Sequence, residues 1–243
     1  MKRLLALLIG AALCGSASAA NLALPVKAPF LSTAYPTTSG IFFGVGTMGG
    51  GGPVGLTSSI PGVNSNSVIT NDISVSGIIG YAWNVPNTQM FAAVEGWFGW
   101  TNFNGSAPGF SFTGPATFTQ RVLIGAPLSD ITALFPTFNL AIPPFPPLPN
   151  GQTATNIKPY IGGQITEEDA TLDVLGVGSN RDWRIKPGIS IGMLGQLTSG
   201  SVVDVAFVTE FPQKGLCVGP GTIPGQVCGG AGTQYKALLA LKW

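Results

Sequence analysis

Apolar residues alternate with small or polar residues along most of this chain from residue 39 to its end. In the clearest segment the positions 183, 185, 189, 191 and 193 are apolar, and arginine, lysine, glycine and serine lie between them. A period of two residues predicts a β-strand with different surroundings on its two faces. Eight segments carry this pattern: Ile41–Thr47, Ile73–Trp83, Met90–Trp100, Thr117–Ile124, Ile157–Thr166, Trp183–Leu194, Val203–Phe211 and Tyr235–Trp243.

The composition indicates that the apolar faces of these strands meet lipid. Only 9% of the residues are charged, against a usual figure of about 25%. After the first 20 residues no apolar run of 18 or more follows, so the sequence offers no material for a membrane-spanning helix. The remaining way to cross a bilayer is a closed barrel, whose backbone hydrogen bonds are all made between strands. The sequence therefore predicts an all-β, antiparallel, up-and-down transmembrane barrel of eight strands.

The first 19 residues have the features of a secretory signal peptide. Lys2 and Arg3 precede an apolar stretch that ends at Leu13, and Ala17-Ser18-Ala19 supplies the small-x-small cleavage pattern. The bulky Leu13 beside Cys14 argues against a lipoprotein. We expect residues 20–38 to form a periplasmic linker and residues 39–243 to form the barrel, in the outer membrane of a bacterial cell.

An even strand number returns both ends of the barrel to the periplasmic side. The exception to the expected short periplasmic turns is residues 126–155, a proline-rich excursion that could hold two further strands, 130–134 and 137–142, and raise the count to ten.

Two other stretches are predicted as loops. One is the glycine-rich segment Met48–Pro53, and the other is the acidic segment Glu167–Asp169 with Asp173, which could meet cations or lipopolysaccharide but is better explained as a solvated loop.

Charged residues inside the strands fall on the face opposite the apolar one. Because a charge on the lipid face costs about 2–4 kcal/mol at the bilayer midplane, these side chains are expected to fill the narrow lumen and pair with one another. An ion-selective path is the functional alternative to such a plug. The predicted lumen charges are Glu95, Arg121, Lys158, Arg184, Lys186, Asp204, Glu210, Lys236 and Lys242.

The spacing of four of these charges predicts a strand register. Asp204 and Glu210 are six residues apart, as are Lys236 and Lys242 on the following barrel strand. One antiparallel alignment would place Asp204 opposite Lys242 and Glu210 opposite Lys236.

Two cysteines remain after export, Cys217 and Cys228, and in an oxidising compartment they are expected to form a disulfide. The chain has no histidine, which removes Ser-His-Asp, Cys-His and histidine-metal chemistry. We therefore expect no enzymatic activity, no cofactor and no metal centre. The net charge near zero gives no nucleic-acid-binding footprint.

Two sequence motifs resemble those of a known family. Leu24-Pro25-Val26-Lys27-Ala28-Pro29, followed by the aromatic segment 39–46, is similar to the start of the opacity-type small outer-membrane proteins of alphaproteobacteria. In that family the leading segment has the form Trp-x-Gly-Phe-Tyr-x-Gly, and here its tryptophan and tyrosine are absent. The carboxyl end resembles a barrel-assembly signal, with Tyr235, Leu239, Leu241 and Trp243 at alternate positions. The resemblance implies an eight-stranded outer-membrane barrel, often labelled porin-like, with a structural or surface-interaction role. The expected partners are outer-membrane lipid, lipopolysaccharide and the barrel-assembly machinery.

The function expected from these features is envelope structure or surface interaction, with a lumen plugged by paired charges. One alternative is a porin that passes small solutes, which would require an open lumen or additional strands. Another is a secreted soluble β-sandwich or ligand-binding barrel, which would bury the apolar faces instead of exposing them.

Overall fold

The computed structural model describes residues 39–59, 66–127, 154–197, 199–212, 215–219 and 226–243. The predicted signal peptide, the linker and nearly all of the proline-rich segment lie outside these residues. The described residues form ten strands: β1 Gly40–Ser58, β2 Asn66–Asn84, β3 Phe91–Ala107, β4 Phe110–Gly125, β5 Ala154–Val174, β6 Gly178–Leu197, β7 Val202–Glu210, β8 Leu216–Val218, β9 Val227–Ala231 and β10 Gln234–Lys242. None of the described residues belongs to a helix that is long and apolar enough to span a membrane.

Eight of the strands form a closed ring. Each pairs antiparallel with its neighbours in the order β1-β2-β3-β4-β5-β6-β7-β10, and β10 pairs again with β1. The two short strands, β8 and β9, form a hairpin that joins the far end of β1 through Val54–Ser58. The predicted eight-stranded antiparallel barrel is confirmed. The strands β8 and β9 are not part of the ring, and the two further strands predicted at 130–134 and 137–142 lie outside the described residues.

The orientation of side chains shows a barrel built for lipid. Outward residues are large, apolar and exposed, such as Trp100 at 78% and Ile191 at 63%. Along β6 the outward apolar residues run from Trp183 to Met193, and ten residues of a strand tilted by about 40° rise through about 25 Å, the usual height of the apolar band. Because the apolar faces are exposed and the charged faces are buried, the soluble β-sandwich alternative is wrong.

The strands are longer than the sequence pattern predicts, mainly at the end of the ring away from the chain's carboxyl terminus. We call this continuation the outer extension; it comprises residues 51–58, 66–71, 102–115, 170–182, 215–219 and 226–232. The predicted glycine-rich loop is wrong because β1 continues through Met48–Pro53. A Cβ atom added at Gly50 would lie 2.0 Å from the carbonyl oxygen of Tyr235, and one at Gly51 would lie 1.9 Å from that of Thr70. Glycine is thus required where the neighbouring strands approach closely. A run of glycines has no alternation of apolar and polar residues, so the sequence pattern does not predict a strand there.

The predicted acidic loop is also wrong, because all four of its carboxylate residues lie in β5. Glu168 points into the barrel and is buried, whereas Asp173 points outward and is exposed. The turn between β5 and β6 follows only at Leu175–Val177. A solvated acidic patch is therefore not what these residues form.

Candidate functional site

The lumen of the ring is the candidate functional site, because it contains nearly all of the buried charge. Two layers of ion pairs cross it. We call the layer nearer the carboxyl terminus of the chain the lower network, and the other layer the upper network. The lower network consists of Glu95, Arg121, Tyr160, Asp204 and Lys242, and the upper network of Asp72, Glu168, Lys186, Glu210 and Lys236.

Arg121 of β4 is at the centre of the lower network. Its Nη1 atom lies 3.0 Å from Glu95 Oε2 and 3.3 Å from Asp204 Oδ2, and its Nη2 atom donates to the Tyr160 hydroxyl at 2.9 Å. Lys242 of β10 contacts the same two carboxylates, at 2.7 Å from Asp204 Oδ2. Because β4 and β10 are on opposite sides of the eight-stranded ring, the network joins one wall of the lumen to the other.

Aromatic residues pack around this lower network because small residues face them. The indole nitrogen of Trp97 donates to Glu95 Oε2 at 2.9 Å, and its ring lies 5.2 Å from the Arg121 guanidinium carbon. A Cβ atom at Gly46 would lie 2.6 Å from the Trp97 ring, and one at Gly192 would lie 2.5 Å from the Tyr160 hydroxyl. The alternation of small and large inward residues therefore gives a filled interior, as expected of a narrow barrel.

The upper network also crosses the lumen. Lys236 of β10 forms ion pairs with Asp72 of β2 and with Glu210 of β7, the latter at 3.0 Å. Lys186 of β6 lies 2.6 Å from Glu168 and 3.9 Å from Glu210. Since β2 and β6 are diametrically opposed in the ring, this second chain of contacts also links opposite walls.

Gly50 makes the ion pair between Asp72 and Lys236 possible across an intervening strand. In the register of β1 it is directly opposite both residues, Asp72 on one side and Lys236 on the other. The two side chains meet over a position that has no side chain. This contact could not be inferred from the sequence, because it depends on the closure of the ring between β10 and β1.

The predicted alignment of β7 with its neighbour is wrong by two residues. Asp204 is opposite Ala240, and Glu210 is opposite Gln234. Nevertheless Lys242 lies 2.7 Å from Asp204 and Lys236 lies 3.0 Å from Glu210, because lysine side chains are long enough to reach a diagonal neighbour. The ion pairs form, but the strand register does not depend on their direct opposition.

The structure places all nine predicted lumen charges at buried positions inside the ring. Seven of them belong to the two networks. Lys158 lies near the lower end, 6.0 Å from the Phe91 ring, and Arg184 lies near the upper end, 4.8 Å from the Phe112 ring. The residues of the predicted assembly signal point outward: Tyr235, Leu239, Leu241 and Trp243.

Sequence reasoning missed five residues that belong to the two networks or are hydrogen-bonded to them through Glu95 and Lys186. Asp72 could have been found by continuing the alternation of β2 one step beyond Ile73, and Glu168 by continuing β5 beyond Thr166. The others are uncharged and gave no signal on their own. The missed residues are Asp72, Trp97, Tyr160, Glu168 and Gln234.

An apolar cluster fills the interior of the outer extension, and we call it the outer core. The hairpin of β8 and β9 contributes Leu216, Val218 and Val227 to it, while Cys217 and Cys228 form a disulfide on the other face of the hairpin. The side-chain amide of Asn180 donates to the Cys217 carbonyl oxygen at 2.9 Å, which ties the hairpin to β6. The other members of the outer core are Val54, Leu56, Phe103, Phe110, Phe112, Ala170, Leu172, Val174 and Ala231.

Within the described ranges, no three of the residue types His, Cys, Asp and Glu are grouped so that they could hold a metal ion. The carboxylates of the two networks are paired with lysine and arginine instead. This arrangement supports charge compensation inside the lumen.

No protein-family model matches the chain, and no curated protein sequence matches it. Among solved structures, it is similar to Neisserial surface protein A, with 14% identity, a TM-score of 0.36, and coverage of 84% of this chain and 99% of that chain. The outer membrane protein OprG from Pseudomonas aeruginosa gives 9% identity, a TM-score of 0.44, and coverage of 85% and 97%. Ail, the attachment invasion locus protein of Yersinia pestis, gives 8% identity, a TM-score of 0.34, and coverage of 83% and 98%.

The closed ring of eight antiparallel strands, its lipid-facing apolar exterior and its charged interior identify the chain as a small outer-membrane β-barrel. Its location is the bacterial outer membrane.

Proposed function

We propose that this barrel has an occluded lumen and serves envelope structure or contact at the outer surface of the cell. The observation that carries the proposal is the burial of the two networks. The side chains of Glu95, Arg121, Asp204 and Lys242 have no solvent-exposed area, and those of the upper network expose at most 5%. Side chains that line a water-filled channel would be exposed.

The physical reason for occlusion is that each network spans the full width of the lumen. An eight-stranded barrel is only wide enough for side chains to fill its interior. Moving one of these charges aside would leave its counter-charge buried and unpaired, at a cost of about 3–5 kcal/mol. A path for solutes would require both networks to open.

Planar-bilayer conductance of the refolded protein tests the proposal. Migration that depends on heating, seen on a gel, serves as the proof that the barrel has formed. We expect the folded protein to be silent. Steady ohmic steps from the folded barrel would contradict occlusion and favour the alternative function, a porin for small solutes.

An epitope inserted in the turn Leu175–Val177 tests the surface part of the proposal. This turn lies at the tip of the outer extension, and Leu175 is 85% exposed there. We expect an antibody to reach the epitope on intact cells. An epitope inserted at Pro86–Asn87, in the short turn between β2 and β3, is the matched control and is expected to be inaccessible until the outer membrane is broken.

We also propose that the chain belongs to the opacity-type small outer-membrane proteins of alphaproteobacteria and is not an enzyme. The segments 24–29 and 39–46 support this membership. In this proposal lipopolysaccharide surrounds the outward aromatic residues, and the assembly machinery reads the alternate residues Tyr235, Leu239, Leu241 and Trp243. Removal of Trp243 is expected to lower the amount of folded barrel in the membrane, measured as the heat-modifiable fraction.

A further inference from the structure

The guanidinium group of Arg184 is buried in the upper part of the lumen, and none of the described residues is a hydrogen-bond acceptor for it. The residue is 4% exposed. Within the part of the chain that the structure describes, its Nε, Nη1 and Nη2 atoms make no hydrogen bond. A buried cationic group with all of its donors unused is unusual and requires an explanation.

The nearest carboxylates are already engaged by other cations. Glu168 is directly opposite Arg184 in the register of β5 and β6, but its Oε2 atom lies 2.6 Å from Lys186 Nζ. Glu210 is paired with Lys236 at 3.0 Å. Among the described residues, Arg184 is in no ion pair within 4.0 Å. The upper network has three carboxylates and two lysines, so the positive charge of Arg184 brings the net charge of this region to zero.

An aromatic ring covers one face of the guanidinium, and the nitrogen atoms at its edge are buried without using their donors. The Arg184 guanidinium carbon lies 4.8 Å from the centre of the Phe112 ring. Phe112 belongs to the outer core and meets Phe103 edge-on at 5.5 Å. Contact through the flat face of a guanidinium does not use its in-plane N–H donors.

Arg121 in the same lumen has acceptors for both of its Nη atoms, although its Nε atom makes no hydrogen bond among the described residues. Its Nη atoms have Glu95, Asp204 and Tyr160 as partners at 2.9–3.3 Å. Arg184 has a comparable burial and a comparable aromatic contact but no such acceptors. The planar fork of a guanidinium matches the paired oxygens of a carboxylate or phosphate.

We propose that Arg184 is the binding site for a small anionic ligand whose carboxylate or phosphate oxygens accept hydrogen bonds from its guanidinium group. The outer core lies directly against the site through Phe112, so a ligand with an apolar body attached to the anionic group would gain additional contact. The ligand would enter from the outer extension, past the hairpin of β8 and β9. This site is independent of whether the lumen conducts.

Isothermal titration of the refolded full-length barrel tests this site. The protein is held in a non-ionic maltoside detergent without phosphate or carboxylate buffers, and sodium acetate, sodium phosphate and sodium octanoate are the three probes. Each probe is tested with the disulfide Cys217–Cys228 oxidised and reduced, because the hairpin lies over the site. We expect one equivalent of at least one probe to bind saturably, and octanoate to bind more tightly than acetate if the outer core contributes.

Arg184→Gln is expected to weaken this binding at least tenfold. Arg181→Gln is the matched control, because Arg181 is on the same strand but is exposed and paired with Asp169. The Arg181→Gln protein should bind each probe with the same affinity as the wild type. Both variants must show heat-modifiable migration.

If Arg184→Gln does not fold, Arg184→Lys replaces it, since lysine retains the charge but lacks the fork and should bind several-fold more weakly. In the wild type, the arginine Nε–H signals in a ¹⁵N spectrum supply a second measurement. One of these signals should shift with the same saturation curve as the heat, and it should be missing from the Arg184→Lys protein. The proposal is wrong if none of the three probes binds saturably in either redox state, or if the Arg184 variants bind as the wild type does.

Discussion

The membrane-spanning part of the ring and its outer extension use the same strands with opposite arrangements of polar and apolar residues. On β3 the outward residues Val94, Phe98 and Trp100 are apolar and exposed, whereas further along the same face Asn102 and Asn104 are polar. On the inward face Glu95 gives way to Phe103 of the outer core. The strand continues across this boundary with a register shift in its pairing with β4 between Trp100 and Phe103, and the solvent outside it changes from lipid to water.

The same inversion occurs on β5. Ile161 and Ile165 are outward and exposed in the membrane part, and Asp173 takes the outward face beyond it. Inward, the charged Glu168 is followed by Leu172 in the outer core. Charged side chains are therefore buried in the membrane-spanning part, where lipid surrounds the strands. Apolar side chains are buried in the outer extension, where water surrounds the strands.

The largest difference between the two regions is expected from removing an arginine. Arg121→Leu should lower the free energy of unfolding by about 3–5 kcal/mol, because Glu95 and Asp204 then share only Lys242 in a site without solvent. Arg181→Leu, in the outer extension, should lower the free energy of unfolding by only a small fraction of that amount, because the Arg181 side chain is 66% exposed although its partner Asp169 is largely buried. Urea unfolding in lipid vesicles, followed by tryptophan fluorescence, measures both. Equal effects would show that the buried network has no special weight.

A phenylalanine removed from each region should act on different parts of the molecule. Phe112→Ala removes a fully buried ring from the outer core and should cost about 3 kcal/mol of local stability there. Phe98→Ala removes a lipid-facing ring stacked on Phe118 and should leave the outer extension unchanged. Hydrogen exchange of the amides in residues 102–115 distinguishes the two variants. Faster exchange in both would indicate that the outer core is not a separate unit.

A lysine placed on the outward face should be costly in only one region. Ile189→Lys puts the charge near the middle of the apolar band and should destabilise the barrel by about 2–4 kcal/mol. Asn104→Lys puts the same charge on the outward face of the outer extension and should change stability by less than about 0.5 kcal/mol. The comparison uses the same urea titration. A large loss from Asn104→Lys would place the membrane boundary higher than the aromatic residues suggest.

The smallest effect on the ring is expected from removing the disulfide. Replacing Cys217 and Cys228 by serine together should destabilise the hairpin of β8 and β9 by about 3 kcal/mol, because the loop between them closes over about a dozen residues. The unfolding midpoint of the eight-stranded ring should stay the same. Limited proteolysis reports on the hairpin, and urea unfolding reports on the ring. A lower midpoint for the ring would mean that the hairpin is part of its cooperative unit.

The inversion explains which features could be predicted from the sequence. Glu95, Arg121 and Lys186 could be assigned to the lumen because each has an outward apolar neighbour in the sequence, namely Val94, Val122 and Ile185. The predicted strands stopped near Trp100 and Thr166 because the outward residues are no longer regularly apolar beyond these positions. The strands themselves continue to Ala107 and Val174. Asp72 and Glu168 were missed for the same reason, because they lie at the boundary where the outward residues change from apolar to polar.

The contacts between distant strands could not be predicted at all. Asp72 meets Lys236 over Gly50 only because β10 closes on β1, and Arg121 meets Asp204 only because the lumen is narrow enough for β4 to reach β7. A period of two residues assigns each side chain to a face, but it carries no information on the residue it meets there. The register predicted from charge spacing therefore missed by two residues.

The sequence by itself determined the class of the protein, because alternating residues without spanning helices allow one solution in a lipid bilayer, a closed ring of strands. It also determined which face of each membrane-spanning strand meets lipid, since the energy difference between the faces is large at every position. The tertiary structure alone decided which charges pair, where the strands end, and that Arg184 has no hydrogen-bond acceptor in the part of the chain that is described. Those features depend on ring closure and on the change of solvent along the strand. The local pattern of apolar and polar residues does not determine either of them.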